Sequence, residues 1–178
     1  MTIDTNTSLE ELAFIVGTAL EQAKQTAVLS GGGAAQIYAP NDYRSRDLDF
    51  VLSFFSSDSK SRAVLEELGL KRMGRNMVHP TCPFTVEFPP GPLSVGDDTL
   101  TVWDTLKRDA LVLNIITPTD SVRDRLAAYL HWNDLGSLES ALAVARAQKD
   151  RIDLVLIEDW CRREGGEARF EIFRKRLG

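Results

Sequence analysis

Residues 27–51, AVLSGGGAAQIYAPNDYRSRDLDFV, constrain this chain more than any other stretch. An apolar run from Ala27 to Leu29 leads through Ser30 into Gly31, Gly32 and Gly33, and an alanine-rich segment follows as far as Tyr38. The order reads as buried strand, glycine turn and helix start, because glycine accepts a positive φ and lets backbone or ligand come close. Backbone N–H groups at such a turn suit an anion. After a Pro/Asn/Asp turn the chain enters Asp47-Leu48-Asp49-Phe50-Val51. In a strand both carboxylates fall on one face, with Leu48 and Phe50 on the other. Two like charges held that close raise each other's pKa unless something positive sits between them. Hard carboxylate oxygens suit Mg²⁺ or Mn²⁺ in that role. An Asp-x-Asp pair alone also serves as a solvated strand exit, but here the glycine turn adds phosphate-holding amides to the same site.

With these residues the chain resembles the nucleotidyltransferase superfamily. DNA polymerase beta, the minimal nucleotidyltransferases and the toxin-type nucleotidyltransferases of bacterial defence and toxin-antitoxin systems belong to it. Gly31, Gly32, Ala34 and Tyr38 are similar to the Gly-Gly-x-Ala-x-x-x-Tyr segment of the toxin-type branch, Ser45 to its hydroxyl residue, and Asp47 and Asp49 to its metal pair. Arg44 stands one place nearer the aspartates than the Arg usual in that branch, and Gly33 fills a variable position. The resemblance implies an ATP or other NTP substrate, with Ser30, Gly31, Gly32, Gly33, Arg44 and Ser45 at the triphosphate. It also implies a third metal-binding carboxylate on a strand beside the Asp-x-Asp strand. Glu87 is the acidic residue in the alternating segment Phe84-Thr85-Val86-Glu87-Phe88, whose Phe84, Val86 and Phe88 take the opposite face. Asp47, Asp49 and Glu87 are therefore the expected catalytic, metal-binding set for Mg²⁺ or Mn²⁺. Lys149 and Asp150, with Asp153, are similar to a Lys-Asp...Asp segment of that branch in which the lysine approaches the triphosphate.

The chain of 178 residues has room for one domain, or for a small core with a helical appendage. We expect an α/β (α+β) protein of the polymerase beta type: a mixed sheet flanked by helices over residues 1–116, with a helical part packed on it over 117–178. Ser8 and Glu11 form a capping box ahead of a first helix. Residues 62–68 read as a helix stopped at Gly69, and 70–83 as a strand edge or loop. Strands are expected over Thr99–Trp103 and Leu111–Ile116, around a polar turn at Lys107–Asp109. Helices follow from Asp120 to Trp132, from a Ser137 cap to Gln148, from about Asp150, and over the basic tail. Trp103, Trp132 and Trp160 read as core anchors.

Several classes are excluded or disfavoured. No window approaches the ~18 uninterrupted apolar residues of a membrane span, and the start carries no secretory pattern, so the reading is cytoplasmic. Cys82 and Cys161 form no disulfide framework, and with His79 and His131 give no zinc-ligand spacing. The glycines lack G-x-G-x-x-G spacing, which disfavours a dinucleotide-binding fold. A net charge of -5 disfavours a broad nucleic-acid footprint. The resemblance to the toxin-type branch, and a helical half against which an acceptor can lie, nevertheless lean the acceptor towards an RNA 3′ end over a protein side chain, with the basic residues from Arg162 to Arg176 able to supply a few phosphate contacts. The expected function is metal-dependent transfer of a nucleoside monophosphate from an NTP to an acceptor hydroxyl. The alternative is a non-catalytic nucleotide- or partner-binding module, paired with an antitoxin-like protein.

Overall fold

The computed structural model describes residues 2–178. Helix α1 (Leu9–Gln22) starts where the sequence places it: the Ser8 hydroxyl accepts from the Glu11 N–H at 3.2 Å, and the Ser8 N–H donates to Glu11 Oε2 at 2.8 Å. Strand β1 (Ala27–Ser30) follows, then α2 (Gly31–Tyr38) and β2 (Asp47–Leu52). Beyond α3 (Asp58–Glu67) come β3 (Lys71–Met73), β4 (Asn76–Val78), β5 (Thr85–Glu87), β6 (Ser94–Val95), β7 (Asp98–Thr99), β8 (Asp104–Arg108) and β9 (Leu111–Ile115). The rest of the chain is helical: α4 (Pro118–Trp132), α5 (Leu135–Ala147), a 3₁₀ turn (Lys149–Arg151), α6 (Leu154–Arg163) and α7 (Glu167–Leu177).

Seven strands form one mixed sheet in the order β3-β4-β5-β2-β1-β9-β8, and β6-β7 form a small hairpin apart from it. β2 is antiparallel to β1 and parallel to β5, while β1 is parallel to β9. Because register partners point to the same side, the sheet has two unlike faces. Leu29, Phe50, Leu48, Val86 and Ile115 share one face and are fully buried. Ser30, Asp47, Asp49 and Glu87 share the other and are only half-buried. Helices α1 and α2 pack on the central strands, and α4 and α5 pack in turn on α2. One hydrophobic cluster runs from Ile3 through the sheet to Trp160 and Phe173. No helix among the described residues is long and apolar enough to cross a membrane.

Several sequence expectations shift. The strand expected over Thr99–Trp103 is instead β8, which turns tightly through Asp109 (φ 53°) into β9. β8 is a sheet edge, so it carries polar residues that alternation does not flag. Residues 71–78 form a hairpin through Gly74. α5 is capped by Asp134 and not by Ser137, whose hydroxyl donates to the Asp134 carboxylate at 2.7 Å. Of the three tryptophans only Trp160 is a full core residue; Trp132 is 77% exposed, beside a helix end closed by Asn133 at φ 55°. Both cysteines are buried free thiols, and burial pushes Cys161 up to about 12, as befits an inert core residue.

Candidate active site

The three glycines are themselves the first turn of the short helix α2, which follows directly on the buried strand β1. At Gly31 and Gly33 this turn presses on β2, and at Gly32 on side chains of the loop before it. Gly31 has φ +66°, and a Cβ there would run into Asp49 Oδ2. A Cβ on Gly32 would lie 2.9 Å from Ser45 Oγ, and one on Gly33 would lie 3.0 Å from the Asp47 carbonyl oxygen. The helix start, with its free N–H groups, is thus laid directly against the Asp-x-Asp strand. At the far end of α2 the Tyr38 hydroxyl donates to the Ile116 carbonyl at 2.7 Å, and burial raises its pKa well above the usual phenol range. Tyr38 therefore anchors the helix.

β2 and β5 bring the acids together. Asp49 is the register partner of Glu87, and Asp47 is on the same face two residues away. The Ser45 hydroxyl donates to Asp47 Oδ1 at 2.9 Å, and the Ser30 hydroxyl donates to the Asp49 carbonyl at 3.3 Å. Gln36 Oε1 accepts from the Ser45 N–H at 2.5 Å, tying the loop to α2. Burial, then Asp47, then Glu87, raise the Asp49 pKa to about 6.

Arg125, on α4, was not singled out by the sequence. It pairs with Asp124 at 2.6 Å and is only 18% exposed. Burial works against its charge, but Asp124, Tyr43 and Asp49 outweigh that and raise its pKa. Its signal was available: Arg125 stands three residues after Val122 and four before Tyr129, both buried, so it lies on the inward side of α4.

The remaining candidates are exposed or paired elsewhere. Arg44 is exposed and turns back to the Pro40 and Tyr43 carbonyls. Lys149 is exposed on the 3₁₀ turn and borders a cleft of about 340 Å³ with Arg146 and Leu177. That turn docks on the start of α4, where the Thr119 hydroxyl donates to the Arg151 carbonyl at 3.3 Å. The C-terminal arginines are occupied. Arg162 pairs with Asp159, Arg163 with Asp98, Arg174 with Glu171 and Arg176 with Glu139, all at 2.7–2.8 Å. Arg169 donates to the Tyr129 and Leu130 carbonyls. Phosphate contacts by these arginines would have to replace the pairs, which are mostly exposed surface ones.

A divalent cation fits the donor chemistry: three hard carboxylates share one face, and the pKa of Asp49 is raised first by burial and then by Asp47 and Glu87. The side chains as they stand do not enclose one. Among the described residues no group of three or more His, Cys, Asp or Glu side chains is placed to hold a metal ion. Asp47 is turned to Ser45, and Asp49 lies against Gly31.

The mixed sheet, its flanking helices and the helical C-terminal region define a polymerase beta-type nucleotidyltransferase fold. The chain is similar in structure to antibiotic-resistance factor ANT(2'')-Ia, with a TM-score of 0.52 and 9% identity over 89% of this chain and 94% of that chain. At that identity the likeness is one of fold. No family model and no curated protein matches the sequence.

One consequence of the crowded carboxylates is measurable without substrate. Asp49 titrates near 3.8 when unperturbed and near 6 when folded, so between these values the folded chain binds more protons and stability falls as pH rises. Asp49→Asn should therefore stabilise the metal-free protein above pH 6, by about 1–2 kcal/mol after allowing for solvent screening. The gain should vanish below pH 4. Urea unfolding across pH 3.5–8 measures it, and a gain that is absent at pH 7.5 or equal at both ends contradicts a charge on Asp49 disfavoured by burial and by its acidic neighbours.

Proposed function

We propose that this protein is a metal-dependent nucleotidyltransferase that moves a nucleoside monophosphate from an NTP to an acceptor hydroxyl. The observation that carries the reading is the register Asp49↔Glu87, with Asp47 on the same face, beside the N–H groups of the Gly31–Gly33 turn. Those amides would take phosphate oxygens of the NTP, supported by the Ser30 and Ser45 hydroxyls and by Arg44, Arg125 and Lys149. Asp47, Asp49 and Glu87 would hold Mg²⁺ or Mn²⁺. When bound, such a cation supplies charge neutralisation at the phosphates and lowers the pKa of the attacking hydroxyl.

In the reaction the acceptor oxygen bonds to the α-phosphorus while the bond from that phosphorus to the oxygen bridging to the β-phosphate breaks. Pyrophosphate leaves with the electron pair, and the hydroxyl proton passes to water. The chain's own part is positional: the N–H groups of the glycine turn align the triphosphate beside the Asp-x-Asp strand, and Asp47 exchanges its Ser45 hydrogen bond for the cation when that binds. The motif at Gly31, Gly32, Ala34 and Tyr38 supports placing the chain with the toxin-type branch of defence and toxin-antitoxin systems, in the cytoplasm, with ATP among the candidate donors.

A second reading, a nucleotide- or partner-binding module without catalysis, is favoured by one observation: the three carboxylates do not enclose a cation as they stand. Incubation with each α-labelled NTP, Mg²⁺ or Mn²⁺ and cell extract separates the two. Transferase activity predicts labelled product together with free pyrophosphate. NTP bound but unconsumed supports the binding module.

A further inference from the structure

The acids occupy only one end of their sheet face. Val28 stands two residues from Ser30, Val51 two residues from Asp49, and Pro89 two residues from Glu87, so on three adjacent chains the polar site gives way to apolar groups within about 7 Å along the strand direction. Val28, Val51 and Pro89 belong to the wall of a cleft of about 1060 Å³. This is a large volume for a small-molecule site, in which drug-sized ligands are mostly buried against apolar groups.

Its chemistry is uniform. Among the described residues Asp58 is the sole ionisable side chain in the wall, and Asp58 is already paired with Arg62 at 2.9 Å. Trp103 lines it, and two aromatic rings, Phe54 and Phe55, stand 95% and 94% exposed at its edge with an edge-to-face separation of 5.5 Å. Exposed aromatic rings at the rim of an apolar cleft are an unfavourable surface until something covers them. A polynucleotide would find no cation in this wall for its phosphates, and a polycation would find no free carboxylate.

We infer that this cleft is the acceptor pocket and that the acceptor is a neutral, largely apolar organic molecule bearing an alcohol or phenol group. The inference rests on the transferase reading above and names the second substrate of that site. Such a molecule, with its body over Val51 and against the exposed faces of the Phe54 and Phe55 rings, presents its hydroxyl towards Asp49 and Glu87. There the oxygen meets the α-phosphorus of an NTP held at Gly31–Gly33, with the bond changes and pyrophosphate departure already described.

The test compares wild type with the double variant Phe54→Ser/Phe55→Ser, whose substitutions lie at exposed positions and outside the nucleotide site. The neutral fluorophore N-phenyl-1-naphthylamine reports occupancy of the cleft, and calorimetry with Mn²⁺ and a non-hydrolysable NTP reports the nucleotide site. Transfer of α-label is measured to a panel of neutral aromatic and aliphatic alcohols and, separately, to oligoribonucleotides and extract protein. The inference predicts label on the neutral alcohols, and a loss of about ten-fold or more in both fluorophore affinity and transfer in the double variant. Metal-nucleotide affinity should stay within two-fold. Label confined to RNA or to protein overturns it, as does transfer to alcohols unaffected by the double substitution. A concentration-dependent dimer that the double variant abolishes also overturns it, by giving the rings to a second copy. Absence of metal-dependent nucleotide binding in wild type instead removes the transferase reading, and the acceptor assignment with it.

Discussion

Asp47→Ala/Asp49→Ala should lower nucleotidyl transfer by at least about a thousand-fold while leaving the fold intact. The size follows from what these groups are asked to do. Charge stabilisation at the α-phosphate is worth several kcal/mol, and removing a single preorganised stabilising group elsewhere typically costs 10²–10³ in rate. The fold should survive because both side chains are half-buried and crowd each other: Asp49 is held up near 6 by burial and by Asp47 and Glu87. Losing them relieves repulsion. Glu87→Ala should cost a comparable factor if its register position beside Asp49 makes it the third ligand. Initial rates of pyrophosphate release, with circular dichroism as the folding control, check both. Residual transfer within about ten-fold of wild type in the double variant would place the chemistry elsewhere.

Arg123→Ala should destabilise the protein by about 3–5 kcal/mol, because it breaks a buried ion pair by deleting one partner. Arg123 is 4% exposed, donates to Asp120 Oδ1 at 2.7 Å and to Asp98, and lies 5.2 Å over the ring of the fully buried Trp160. Asp98 is bonded in turn by Arg163 at 2.8 Å. One guanidinium thus joins the β6-β7 hairpin to α4 and, through Trp160, to α6. The Arg163 hydrogen bond and the nearby Arg123 charge hold the Asp98 carboxyl down at about 2. Its contribution is full above pH 3.8 and is lost only as pH falls through about 2, so the tie persists across ordinary acid conditions. The Arg123 Nε and Trp160 Nε1 groups are buried without acceptors. Both variants lose the orphaned Nε, so Arg123→Met should recover part of the loss by filling the space against Trp160 that the alanine leaves empty. Thermal unfolding reads both variants. A drop of roughly 10 °C is expected for the alanine, given about 2–4 °C per kcal/mol in a chain of this size. A shift under about 2 °C would make the network decorative.

The parts of this account that were legible in the sequence are those written in local patterns. Ala27–Leu29 with three glycines, Asp47 and Asp49 at period two, and Glu87 in an alternating strand each declare themselves within a few residues. Their mutual placement does not: that β5 lies parallel beside β2, in the register Asp49↔Glu87, is a property of the sheet order. The inward side of Arg125 is readable from its spacing to Val122 and Tyr129, but that this side faces Asp49 depends on how α4 packs on α2. The C-terminal arginines erred the other way, looking free because Asp98 and Glu139 are 65 and 37 residues distant from their partners Arg163 and Arg176. Trp132 was assigned to the core on residue type alone, whereas its place in the last turn of α4 leaves it in solvent. The apolar cleft was legible only in fragments, since its wall draws on β1, β2 and the loops that follow β2 and β5.

The central claim is that Asp47, Asp49 and Glu87 act together as one cation site beside the glycine turn. Titration calorimetry of Mn²⁺ in the presence and absence of a non-hydrolysable NTP, on wild type and Asp47→Ala/Asp49→Ala, tests it most directly. Cooperative binding is predicted for wild type, with nucleotide tightening the metal and metal tightening the nucleotide by the same factor, and neither effect in the double variant. Equal metal-dependent nucleotide affinity in both proteins would contradict the account.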